Sequence, residues 1–170
     1  RSAVGVPARQ GEKSLGRDWR VPRGTVLELW PASLGLDLSA VVAAVADWAI
    51  PSTSRLVIRL GDGEHELSAP VVFRNQDGDR LSIVGNISRP ELCRVIWQKP
   101  EDAFYAALGR QIGLVDGVTL EHARPKARGI GSAFLADAGG AIRCGAGVRV
   151  RGFYYGFQAR HGGSILCRGT

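Results

Sequence analysis

Cleaving a glycosidic bond takes two carboxyl groups held roughly 5 to 9.5 Å apart. The densest acidic cluster in this chain is Asp62, Glu64 and Glu66. On a regular strand Glu64 and Glu66 share a face with Cα atoms about 6.6 Å apart. That spacing permits general acid/base work, and the same residues also suit an ordinary solvated strand edge. Asp116, Glu121 and His122 form a second acid–imidazole group, beside a basic stretch carrying Arg124, Lys126 and Arg128. Asp77 and Asp79 flank Gly78 and read as a turn. Binding is the other chemistry within reach. Tyr154 and Tyr155 offer rings on which a sugar can stack, beside Arg149, Arg151 and Arg160, whose guanidinium groups suit acidic sugars. The same five residues also suit packing within one chain or between protomers.

Other chemistries lack their residues. No Ser-His-Asp spacing, glycine-rich phosphate loop or HExxH is present, and no cofactor is expected. Cys93, Cys144 and Cys167 have no CxxC or ligand spacing, so neither a metal site nor a disulfide framework is indicated. Net charge is +6, concentrated toward the carboxy-terminal end, where residues 123–170 carry eight basic side chains and a single carboxylate, Asp137. A multi-carboxylate calcium site is therefore not expected there. A nucleic-acid module interleaves basic residues with exposed aromatics; Arg151, Phe153, Tyr154, Tyr155 and Arg160 come nearest, but Phe153 to Phe157 better suit filling the solenoid or a subunit seam, and no nucleic-acid partner is expected. No apolar run approaches the ~20 residues of a membrane span.

The elements that must position these residues are short. Phe134-Leu135-Ala136-Asp137-Ala138-Gly139-Gly140-Ala141-Ile142-Arg143-Cys144 returns at an offset of 23 residues as Phe157-Gln158-Ala159-Arg160-His161-Gly162-Gly163-Ser164-Ile165-Leu166-Cys167. Periods of roughly 20 to 50 residues mark solenoids, whose units bury their apolar sides against one another. The repeat predicts Ile142 beside Ile165 and Cys144 beside Cys167, both pairs inward with free thiols, and Asp137 beside Arg160 on the outside. Upstream, Arg55 to Leu60, Glu64 to Leu67, Val71 to Phe73, Arg80 to Asn86, Cys93 to Trp97, Ile112 to Val115, Gly117 to Glu121 and Gly147 to Gly152 read as strands with glycine or asparagine corners. Ala103 to Leu108 reads as a helical turn or irregular excursion, and residues 122–131 as a projecting loop.

One helix is predicted, over 38–49, with Leu38, Val41, Val42, Val45 and Trp48 on one face, Asp37 or Ser39 as cap and Pro51 as stop. Its apolar face suits it to close one end of the stack. Thr25 to Trp30 has strand character, halted by Pro31. Residues 1–36 as a whole read as an extended arm or attachment region. Residues 37–170 read as capping helix and first coils of an all-β parallel solenoid that continues beyond residue 170.

The helix, then Leu56-Val57-Ile58-Arg59-Leu60-Gly61-Asp62-Gly63-Glu64-His65-Glu66-Leu67-Ser68-Ala69-Pro70-Val71-Val72-Phe73 and Leu81-Ser82-Ile83-Val84-Gly85-Asn86, resembles the opening of pectate-lyase-like right-handed parallel β-helices. His65 stands where an aromatic such as Tyr is common, and Gly61-Asp62-Gly63 replaces a proline-glycine turn. Within that architecture the chain is most similar to bacteriophage tail spike or tail fibre proteins. The resemblance implies a homotrimer that attaches to tail or baseplate proteins through residues 1–36, serves host-surface glycan recognition and resides in the virion tail after assembly in the host cytoplasm. It also implies that any glycan-cleaving site lies beyond residue 170. The alternative within the same fold is a secreted polysaccharide lyase or glycoside hydrolase.

Overall fold

The structure, a computed structural model, describes residues 19–124 and 131–168. Residues 125–130 of the segment read as a projecting loop, and residues 1–18 of the segment read as an arm, lie outside the described residues. The chain begins with β1 (Val26–Leu29), α1 (Pro31–Leu34) and α2 (Leu38–Ala44). It continues through β2 (Arg55–Arg59), β3 (Gly63–Glu66), β4 (Val71–Phe73), β5 (Leu81–Val84), β6 (Cys93–Trp97), β7 (Phe104–Ala106) and β8 (Gln111–Asp116). The last elements are β9 (Thr119–His122), β10 (Ser132–Ala136), β11 (Ala141–Cys144), β12 (Arg149–Arg151), β13 (Tyr155–Ala159) and β14 (Ser164–Cys167).

From β2 onward no strand pairs with its successor in sequence; each pairs, in parallel, with the strand three places on. The result is a six-stranded sheet, β1-β2-β5-β8-β11-β14, and two four-stranded sheets, β3-β6-β9-β12 and β4-β7-β10-β13. The architecture is thus all-β and parallel, with two short helices among the described residues. Equivalent positions stack in register. Ile112 pairs with Ile142 and Ile142 with Ile165, while Phe104, Phe134 and Phe157 align across β7, β10 and β13. Their rings stack at centroid distances of 5.0 and 5.3 Å, and Phe73 extends the stack at 6.0 Å. These ladders, with Leu56, Ile58, Leu81, Ile83, Val95, Val115 and Leu120, form one interior core.

The recurring Gly-Gly has a physical cause at each of its two positions. Gly139 and Gly162 both take φ +77°, in the left-handed region that costs a side chain energy. Gly140 and Gly163 leave no room for a Cβ, which would stand 2.2 and 2.3 Å from the carbonyl oxygens of Ala106 and Ala136. The corner therefore needs one glycine for its bend and one for the approach of the preceding layer.

Three local expectations are corrected. Phe104–Ala106 is a strand, not a helical turn or excursion. Its three residues are too few to show a period, and pairing with β4 and β10 decides the conformation. The capping helix ends at Ala44 rather than 49, because the side-chain amide of Asn75 donates to the carbonyls of Val45 (2.6 Å) and Trp48 (2.9 Å). Trp48 is nonetheless buried and packs on Trp19, with ring centroids 4.6 Å apart. Pro31, which halts β1, also opens α1, as proline suits the first helical turn, where its missing N–H costs nothing. Within the segment read as an arm, β1 pairs in register with β2 and extends the six-stranded sheet.

α2 covers one end of the layers. Asp37 accepts from the N–H of Ala40 (2.8 Å) and from that of Ser68 (2.9 Å), so one carboxylate caps the helix and fastens it to the β3–β4 connection. Partial burial opposes the charge on Asp37. Hydrogen bonds from Ser68, Ser39 and Ala40 outweigh that, and the carboxyl is held below its usual range.

Candidate functional site

Alternation along β3 sends Glu64 and Glu66 outward, with His65 half-buried between them. In the neighbouring layers Glu64 pairs with Arg94, and Glu66, Ile96 and Glu121 line up. Arg94 bonds both carboxylates, meeting Glu64 through Nη1 and Glu121 through Nη2 (3.1 Å) and Nε (3.2 Å). A guanidinium between two carboxylates stabilises both as anions. Both carboxylates are thus engaged in ion pairs with one arginine. Glu66 makes no ion pair among the described residues.

Asp116, Glu121 and His122 do not come together as one site. Asp116 ends β8, and its Oδ1 accepts from the N–H groups of Gly117 and Gly147, both at 2.8 Å. Glu121 faces outward to Arg94. His122 is buried, its Nδ1 accepting from the N–H of Arg124 (3.1 Å) and its Nε2 lying 2.9 Å from the Lys99 carbonyl. Those partners fix the neutral tautomer with the proton on Nε2. The ring also packs edge-on against Phe153 at 5.4 Å. With both nitrogens engaged, His122 is a structural histidine.

The five binding candidates occupy the last layer. Arg149 is tied to Glu91 at 3.2 Å and Arg160 to Asp137 at 3.3 Å. Arg151 has no partner among the described residues, and Tyr154 is 74 % exposed. Tyr154 and Tyr155 pack edge-to-face at 4.7 Å. Arg160 follows the far end of β13, five residues from Tyr155 and roughly 16 Å along an extended strand. Arg151, Tyr154 and Tyr155 are all exposed, and Arg160 belongs to a separate group with Asp137. His161 completes that second group, with Nδ1 2.7 Å from Asp137. The hydrogen bond from His161, assisted by the Ala138 N–H and Arg160, holds the Asp137 carboxyl below its usual range. The repeat alignment pointed to Arg160 as Asp137's neighbour; His161 stood one residue further and went unread.

Two surface cavities were not legible in the sequence. One, of about 440 Å³, lies between the 20–23, 49–53 and 77–80 segments and is lined by Arg20, Arg23, Ser52, Thr53, Asp77 and Arg80. Asp77 takes Arg80 at 2.9 Å and the Ile50 N–H at 2.8 Å, and Arg20 and Arg23 have no acidic partner among the described residues. The other, of about 250 Å³, lies on the outer face of the β4-β7-β10-β13 sheet, against Val72, Glu101, Asp102, Tyr105, Leu135 and Arg160. Asp102 is engaged there, accepting from the Ser132 N–H at 2.6 Å. No group of three or more metal-ligating side chains occurs among the described residues. No described helix is long and apolar enough to cross a membrane. Comparison with protein-family models, curated proteins and solved structures finds no match to this chain.

Proposed function

We propose that the parallel sheets wind as a right-handed β-helix and that the chain belongs to a phage or phage-like tail fibre or spike. Parallel strands in one sheet are joined by right-handed connections almost without exception, which supports the handedness. Over these residues the role is structural. Residues 1–36 join the fibre to a tail or baseplate protein, the complete protein is a homotrimer in the virion tail, and its exposed aromatic and basic residues serve recognition of a host-surface glycan. The observation that carries this reading is the difference between the two ends of the layers. One end is closed by α2 beside a cavity whose Arg20 and Arg23 suit an acidic partner, and the other presents Arg151, Tyr154 and Tyr155. The engagement of Glu64, Glu121 and His122 by neighbouring groups supports a non-catalytic role.

A second reading, a polysaccharide lyase or hydrolase, draws on the cavity where Glu101, Asp102 and Tyr105 meet Arg160. Sedimentation of the full-length protein at micromolar concentration separates the two. A trimer without glycan turnover is the expected result. A monomer that turns over a glycan, with activity lost in Glu64→Gln, Glu66→Gln or Glu101→Gln, would reverse the order.

A further inference from the structure

β11 and β14 are parallel neighbours in unbroken register, and Cys144 and Cys167 are Cα partners in it. In-register strands lie about 4.8 Å apart, within the Cα separation of roughly 4.4 to 6.8 Å that a disulfide spans. Both thiols point the same way. Ile142 and Ile165, two residues earlier on each strand, pack against the interior, and strand alternation puts the cysteines on that side too. Both cysteines are free, and the nearby Cys167 adds to the burial that raises the Cys144 thiol. They differ in access, since Cys144 is buried and Cys167 exposed. Cys93, the third thiol, is buried on β6 in a different sheet.

We propose that Cys144 and Cys167 are a thiol–disulfide pair, oxidised by a low-molecular-weight disulfide such as oxidised glutathione into a covalent pin between β11 and β14. This does not depend on the tail-fibre reading. The Cys167 thiolate attacks one sulfur of the incoming disulfide, forming a mixed disulfide and expelling one glutathione thiolate. The Cys144 sulfur, after losing its proton, then attacks Cys167, breaking the mixed disulfide and expelling the second. Two protein thiols are oxidised, one glutathione disulfide is reduced to two thiols, and the protons released end on those thiols. Burial pushes the Cys144 thiol up. Its step is nevertheless intramolecular, with the target sulfur held beside it, and proximity offsets low acidity.

Treating the native protein with oxidised glutathione and mapping its peptides without reductant tests the pairing. The expected result is a Cys144–Cys167 linkage with the loss of two hydrogens in mass. Cys93 then remains as the single free thiol after unfolding, and the denaturation midpoint rises, reversibly with dithiothreitol. Cys144→Ser should stop at glutathione bound to Cys167, and Cys167→Ser should not react while folded. If Cys144→Ser fails to fold, the wild-type map still decides. A glutathione adduct that persists on Cys167 of the wild-type protein would overturn the pairing. So would absence of reaction, a linkage between two chains, or one involving Cys93.

Discussion

β4 and β13 are the two edge strands of the same four-stranded sheet, and they end in opposite conditions. On β4 the inward side chains Val71 and Phe73 are fully buried, because α2 lies against the strand and Asn75 and Asp37 fasten that helix to the layers. On β13 the inward Phe157 stacks on Phe134 with one face and stays 43 % exposed on the other. The six-stranded sheet repeats the contrast, with Leu27 and Leu29 of β1 buried while Cys167 of β14 is exposed. An unpaired parallel edge with apolar side chains is a surface that proteins ordinarily cover. The same ladder position is thus worth different amounts of free energy according to what stands on its far side.

The sharpest way to break that comparison is to put a charge at each end. Val41→Asp places an unpaired carboxylate under α2 and should cost enough to leave the chain unfolded or aggregated. Leu166→Asp, at a site 54 % exposed, should change stability by no more than about 0.5 kcal/mol. Equal tolerance of the two in urea unfolding would mean that α2 does not seal its end.

Next in size is the phenylalanine ladder. Phe104→Ala, in mid-stack with no exposure, should cost about 3–5 kcal/mol through lost burial and an unfilled cavity. Phe157→Ala should cost about 1–2 kcal/mol, in proportion to the area it hides. Ile165 is likewise only partly buried, so Ile165→Ala should cost less than the roughly 2–5 kcal/mol of a fully buried site such as Ile142. Equal costs at Phe104 and Phe157 would show that the open end is covered in solution.

Asp37 tests the fastening of the closed end. Asp37→Ala should cost about 0.5–2 kcal/mol, the usual range for losing an amino-terminal cap. Because its carboxyl is held low in the folded state, its contribution is complete above the ordinary aspartate value of about 3.9 and declines as pH falls through the lower folded value. The stability difference between the native protein and Asp37→Asn should therefore be constant near neutrality and shrink in acid. A difference that grows in acid would invert the sign and remove the charge from the account.

Smallest is Asp137→Asn at the open end. It removes the contacts to Arg160 and His161 at an exposed corner, where solvent screens them. Its unfolding curve should overlay that of the native protein at neutral pH. A clear shift would make this corner a structural clasp comparable to the one formed by Asp37.

What the sequence determined by itself was the local and periodic part. Alternation and glycine corners marked most strands, and the repeat placed Ile142 on Ile165, Cys144 on Cys167 and Asp137 beside Arg160, all as observed. That repeat was visible because the β10–β11 and β13–β14 segments have the same length and share Phe, Gly-Gly, Ile and Cys. Earlier ladders repeat at other offsets, 25 residues for Leu56 with Leu81 and Ile58 with Ile83 and 30 for Phe104 with Phe134 and Ile112 with Ile142, so no single period runs through the chain. Tertiary structure alone decided where α2 stops, since the carbonyls of Val45 and Trp48, just past its end, are taken by Asn75, some thirty residues on. It also decided that Phe104–Ala106 is a strand, and that Glu64 and Glu121, far apart in sequence, share one arginine. The physical reason is common to all three. Period and turn chemistry act over a few residues, whereas hydrogen bonds and charges are satisfied by whatever the parallel stacking brings alongside.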